Sequence, residues 1–137
     1  MFVVNVEGLI MKGDKVLIGK RSIKEKHAGG QLSLIGGTVE TAESSNDILE
    51  NNLKREIMEE TGLKVGNFKY VNNTSFVTTS GTDVINIVFS CDWLSGEAVV
   101  KDKDEVSELF WMTFDEIINH EASPFYLIDS VQVYKKG

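Results

Sequence analysis

The stretch Leu53 to Leu63, LKREIMEETGL, gathers Glu56, Glu59 and Glu60 beside Arg55 and stops at Gly62. Glu56 and Glu60 are four residues apart. On a helix they are like-charged neighbours, which costs on the order of a few tenths of a kcal/mol. On a helical wheel with Leu49 at zero, Leu53 falls near ~40° and Ile57 near ~80°, an apolar stripe. Glu60 falls at roughly 20°, Glu56 at roughly −20° and Glu59 at about −80°. The acids therefore border the inward stripe rather than oppose it. Partly buried carboxylates in a cluster repel one another and resist ionisation. A hard divalent cation removes that penalty, and Mg²⁺ takes oxygen ligands, with substrate phosphates often completing its shell. The competing reading is an acidic helix edge neutralised by Arg55, Lys64 and water.

The elements that must position these acids follow from the patterning. FVVNVEGLIM, a turn at KGD and then KVLIGKR read as a hairpin. LSLIGGTVE reads as a short strand interrupted by Gly36 and Gly37. A long helix is expected from about Asn46 to Thr61, with Ser44, Ser45, Asn46 and Asp47 as N-cap candidates and Gly62 as its stop. NFKYVNNTSFVTT and DVINIVFSCDWL, parted by SGT, are strands by their β-branched and aromatic content. EAVVK and ELFWM are further strand candidates. Thr113 with Glu116 makes a capping box for the short helix FDEIINH. Ser123-Pro124 opens a last helix running to about Tyr134. Strands mixed with two or three helices, without regular βαβ alternation, give an α+β sheet covered by helices.

The totals bound the function. A chain of 137 residues with 42% hydrophobic and 26% charged content is expected to form one globular domain. Its net charge of −7 argues against DNA or RNA as a partner, because that affinity rests on clustered Lys and Arg. A small phosphorylated ligand is compatible, since a bound cation can carry the attraction. Cys91 is the single cysteine, so no intramolecular disulfide forms, and its apolar setting marks it as a buried side chain rather than a nucleophile. The N-terminal apolar run is broken by Asn5 and Glu7 and carries no basic leader. No stretch reaches the ~18 apolar residues of a membrane span. A cytoplasmic protein without membrane association is expected.

GGTVETAE precedes the acidic helix, and the two together resemble a known signature. Gly37, five residues, Glu43, and then Arg55-Glu56-Ile57-x-Glu59-Glu60-x-Gly62-Leu63 are similar to the Nudix box of the Nudix hydrolase family, G-x5-E-x7-R-E-U-x-E-E-x-G-U with U a bulky aliphatic. Every fixed position has a match. One spacing departs: eleven residues, SSNDILENNLK, separate Glu43 from Arg55, where the family has seven. The four extra residues either lengthen the helix at its start or bulge out in ESSND and leave Glu43 in place. Family members often carry W-x-x-P-G-G before the box, whereas Leu32 and Ile35 stand at the Trp and Pro places here.

The resemblance implies a single Nudix domain over residues 1–137, with a mixed central sheet sandwiched between helices (α/β/α). It implies hydrolysis of the diphosphate linkage in a nucleoside diphosphate joined to another group. The expected substrate is a (deoxy)nucleoside triphosphate, giving monophosphate and pyrophosphate. A nucleotide sugar or other nucleoside diphosphate compound, or a non-catalytic nucleotide sensor, is the alternative. The cofactor implied is Mg²⁺ or Mn²⁺, held by Glu56, Glu59, Glu60, the backbone carbonyl of Gly36, and Glu105 as an extra ligand or base. Glu59 serves as ligand or as base, Arg55 orients the glutamates by a bidentate pair, and Glu43 supports the site through that Arg. Arg21 resembles the family's phosphate-contacting basic residue. The partner implied is a small nucleotide, and a homodimer is left open.

Overall fold

The structure is a computed structural model and describes residues 1–25, 29–40 and 46–137. Strand β1 (Phe2–Lys12) turns into β2 (Lys15–Arg21), as the KGD turn predicts. LSLIGGTVE divides into two strands, β3 (Leu32–Ser33) and β4 (Ile35–Thr38), rather than one. The break falls at Leu34, and both glycines lie inside β4. The reason is their close approach to β1. Gly36 and Gly37 pair with Glu7 and Val6, and a Cβ built on Gly36 would sit 1.9 Å from the Val6 carbonyl oxygen. Only glycine fits there.

Helix α1 (Ile48–Thr61) starts two residues later than expected. Its N-cap is Asp47 in a left-handed conformation (φ 51°), with no side-chain cap. Gly62 closes the helix at φ 80° and donates its N–H to Met58 O, as a C-terminal glycine should. The long strands β5 (Lys64–Val77) and β6 (Asp83–Ser95) follow, then β7 (Val106–Thr113), α2 (Phe114–Asn119) and α3 (Phe125–Lys136). The capping box at Thr113 and Glu116 is made in both directions. EAVVK is not a strand. The Val99 N–H bonds to Thr61 O at the end of α1 instead of to a sheet partner, and Ala98 packs on the core.

The sheet runs β3-β2-β1-β6-β5, with β7 on β2 and β4 on β1. β1 and β6 are parallel and the other pairings are antiparallel, so the sheet is mixed. β1 and β2 are registered only at Met11–Val16 and Lys12–Lys15. Beyond that they splay, and β4 takes the edge of β1 from Asn5 to Gly8. Period-two alternation gives two cores. Val6, Ile10, Leu17, Phe89 and Cys91 face Leu53 and Ile57 of α1. Leu9, Val16, Ile18 and Val88 face Ile117, Leu127 and Val131 of α2 and α3. Helices thus cover both faces of the sheet, as the resemblance implies. Burial pushes the Cys91 thiol up to about 12, which makes it an inert apolar side chain. Among the described residues no helix is long and apolar enough to cross a membrane.

Gly36→Ala forces the β1–β4 pair apart and is expected to lower folding stability by about 1–3 kcal/mol. Chemical denaturation of the variant checks this, and an unchanged midpoint would contradict the close approach of β4 to β1.

Candidate active site

The site lies where the splayed strands meet the C-terminal half of α1. Asn52, Leu53, Ile57 and Thr61 form the buried side of the helix, and Arg55, Glu56, Glu59 and Glu60 flank it. As the wheel predicts, the acids are not on the solvent face together. The Glu56 side chain is only 15% exposed, whereas Glu59 leans outward at 59%. A Cβ at Gly37 would lie 2.8 Å from the carboxyl carbon of Glu56 and from its Oε2. The second glycine is therefore what lets this carboxylate lie against β4.

Glu60 is the most perturbed of the three. Its Oε2 is buried and has no hydrogen-bond partner among the described residues. Burial, reinforced by the charges of Glu56 and Glu105 and slightly offset by Arg21, pushes its carboxyl up from the ordinary 4.5 to about 8. Glu56 is raised too. Burial is the main cause, opposed by Arg55 and reinforced by Glu59 and Glu40.

Arg55 braces the cluster through both terminal nitrogens of its guanidinium. One nitrogen, Nη1, bridges Glu56 Oε1 at 3.3 Å and Glu59 Oε2 at 3.2 Å. Nη2 donates to Asn52 Oδ1 at 2.9 Å. Asn52 is buried and anchored by its own bond to Ile48 O at 2.8 Å. Sequence reading passed over Asn52, whose only signal is its place three residues before Arg55, on the same side of the helix. Glu43 lies outside the described residues. α1 nevertheless begins only at Ile48, seven residues before Arg55, so the helix is no longer than the family's seven-residue spacing allows.

Arg21, at the end of β2, and Glu105, ahead of β7, both reach the cleft. Arg21 lies 3.7 Å from Glu25, and its charge acts on Glu60. The Glu105 carbonyl accepts from the Ser22 N–H at 2.9 Å, which joins the end of β2 to the segment ahead of β7. The cleft has a volume of about 460 Å³, within the usual range for small-molecule sites. Among its described lining residues Arg21 and Lys101 are the cations, set against Glu7, Glu25, Glu40, Glu56, Glu59, Glu60, Asp102 and Glu105. Such a surface repels a phosphate ester unless a cation intervenes. Among the described residues no group of three or more His, Cys, Asp or Glu side chains stands ready-made to hold an ion. The orphaned Glu60 oxygen and the all-oxygen donors nonetheless fit a hard cation that keeps water and phosphate in its shell.

Glu7 and its neighbours are a second omission of the sequence reading. Glu7 is raised by burial, softened by Asn86 and by the charge of Arg21. Its signal was present as the one charged residue within the apolar run of β1.

A family model described as the NUDIX domain matches residues 1–131. The chain is 30% identical over 108 residues to the NAD-capped RNA hydrolase NudC of Escherichia coli O1:K1 / APEC, a match covering 79% of this chain and 38% of that protein. The chain thus spans less than half the length of the curated relatives it matches. Among solved structures, a MutT NUDIX hydrolase from Burkholderia pseudomallei superposes with a TM-score of 0.81 at 22% identity, over 96% of this chain and 97% of that one. The MutT protein from Methanosarcina mazei Go1 superposes with a TM-score of 0.79 at 25% identity, over 98% and 94%.

The raised Glu60 carboxyl sets a pH dependence. Between its ordinary value of 4.5 and about 8 the folded protein retains a proton that the unfolded chain has released. The folded state binds more protons there, so stability falls as pH rises through that window. Melting temperatures in EDTA are expected to decline across it, to decline less in Glu60→Gln, and to recover at the alkaline end when Mg²⁺ is added. A variant slope equal to that of the wild type contradicts the burial of this carboxyl.

Proposed function

The chain belongs to the NUDIX family, and from that premise we propose that it is a metal-dependent hydrolase of the diphosphate linkage in a small nucleotide. The substrate best supported is a (deoxy)nucleoside triphosphate, cleaved to monophosphate and pyrophosphate. The observation that carries this reading is the buried, unpartnered Glu60 oxygen beside Glu56 at the edge of the cleft. A fold has no reason to keep such a group unless a ligand completes it.

Glu56 and Glu60, with Glu59, Glu105 and the Gly36 carbonyl, would hold Mg²⁺ or Mn²⁺. When bound, the cation supplies the positive charge that draws in the phosphates and makes phosphorus open to attack by water. The chain's own groups do the rest. Arg55 holds Glu56 and Glu59 together and oriented. Glu59, the most accessible of the three, accepts the proton of the attacking water at a carboxylate oxygen as the new P–O bond forms and the bridging P–O bond breaks. Arg21 meets a phosphate oxygen at the cleft wall. The net charge of −7 supports a small nucleotide rather than a nucleic-acid polymer.

A dinucleotide or other nucleoside diphosphate compound is the second reading, favoured by the 30% identity to an NAD-capped RNA hydrolase. A sensor without turnover is disfavoured, because Glu56, Glu59 and Glu60 are all present and line one cleft.

A panel of nucleoside triphosphates, nucleotide sugars and dinucleotides with Mg²⁺, with products identified, decides among these. Turnover is expected on triphosphates, with pyrophosphate released and EDTA abolishing it. Glu60→Gln is expected to lower kcat by roughly 100-fold while keeping the fold. Tight nucleotide binding with no turnover would establish the sensor instead, and full activity in Glu60→Gln would overturn the ion assignment.

A further inference from the structure

The nucleotide cleft does not end at the helix acids. On β1, Asn5 stands directly opposite Asn86 of the parallel strand β6 and donates through Nδ2 to Asn86 Oδ1 at 2.7 Å. Asn86 in turn donates through its own Nδ2 to Glu7 Oε1 at 2.8 Å. The order of the chain is fixed by chemistry. A carboxyl oxygen needs a donor, so the Asn86 amide nitrogen must face Glu7 and its oxygen must face Asn5. Among the described residues the Glu7 side chain is bonded through Oε1, and the residue is partly exposed at the cleft. Glu7 lines the same cleft as Glu56 and Glu60 and pairs across the strands with Gly36. It therefore sits at the far side of the twin-glycine strand from the helix acids.

Registering β1 on β6 does not require this residue, because Asn5 and Asn86 already bond each other and the strands pair from Phe2 to Met11. A carboxyl in the middle of an apolar strand is costly, and an apolar residue there would serve the fold better. What it offers is an oriented oxygen, aimed by Asn86, at the end of a cleft whose other end is built for phosphates. With Oε1 taken by the Asn86 Nδ2, the ionised carboxyl presents its second oxygen as a pure acceptor, suited to an N–H of the ligand.

We infer that Glu7, aimed by Asn86 and Asn5, is a specificity-determining residue that accepts a hydrogen bond from the exocyclic amino group of the substrate's nucleobase. Cytosine, adenine and guanine carry that group; uracil, thymine and hypoxanthine present a carbonyl in its place or lack it. This rests on the nucleotide reading above. It extends that reading by naming the class of base and the residue that selects it.

Matched pairs that differ in the amino group isolate the effect. Wild-type kcat/KM is expected to favour CTP over UTP and ATP over ITP by roughly tenfold or more. In Glu7→Gln the carboxamide oxygen stays with the Asn86 Nδ2, which turns the new NH2 toward the cleft, so the preference is expected to reverse. The variant's melting temperature should be unchanged or higher. Calorimetric binding of CMP against UMP, and of AMP against IMP, repeats the comparison without turnover. If no nucleotide is hydrolysed but binding shows the preference and its reversal, the hydrolase reading falls and the role of Glu7 stands. If triphosphates are hydrolysed with equal kcat/KM within each pair, or if Glu7→Gln keeps the wild-type ratio and only loses stability, Glu7 is a structural residue and the inference is overturned.

Discussion

A carboxylate that the protein buries but does not pair governs this molecule. Glu60 lies beside the apolar stripe of α1 because the helical repeat places it there, next to Leu53 and Ile57, which anchor the helix in the core. The surroundings adapt to it. Gly37 leaves room for Glu56 to lie against β4, and Gly36 lets β4 close on β1. Asn52 fixes Arg55, which in turn bridges Glu56 and Glu59. Among the described residues no side chain pairs with the buried Glu60 oxygen, and a bound cation is the kind of group that offsets such a site.

The sheet makes room for that arrangement by failing to close. Had β1 and β2 stayed registered along their whole length, β2 would hold the edge of β1 that β4 takes, and the gap between them would not exist. Because they part after Met11–Val16, β4 enters beside β1 and β3 beside β2. The gap opens toward Arg21 and Glu105. The 96–105 segment is held to the helix end through Val99 and Thr61, so the wall that carries Lys101 and Asp102 follows the helix that carries the acids.

Local chemistry was legible in the sequence wherever one element sufficed to decide it. The stripe of α1 with its acids at the margin, the Gly62 stop, the Thr113–Glu116 box and the first hairpin all follow from spacing within a few residues. Partners distant along the chain decided the rest. EAVVK has the composition of a strand, but its hydrogen bond goes to the end of α1. The glycines of LSLIGGTVE looked like an interruption, yet they are the paired residues, because Val6 and Glu7 come close from thirty residues upstream. Asn52 and Glu7 lacked any motif. Their roles exist only once Arg55 and Asn86 are set against them. Glu43 stands outside the described residues, and the start of α1 at Ile48 is what bears on the insertion next to it.

The parallel pairing of β1 with β6 also reaches into how this molecule forms. Asn5 and Asn86 meet across a separation of 81 positions, and the strand at the centre of the sheet comes first in the chain. The hairpin and α1 can assemble from nearby contacts, but the middle of the sheet must wait for a large loop to close, whose entropy is lost before any ladder bond compensates. Such a topology belongs to the slower end of the kinetic range, where contacts remote in sequence set the barrier. Until β6 arrives, the edge of β1 that it covers from Phe2 to Met11 stands unpaired.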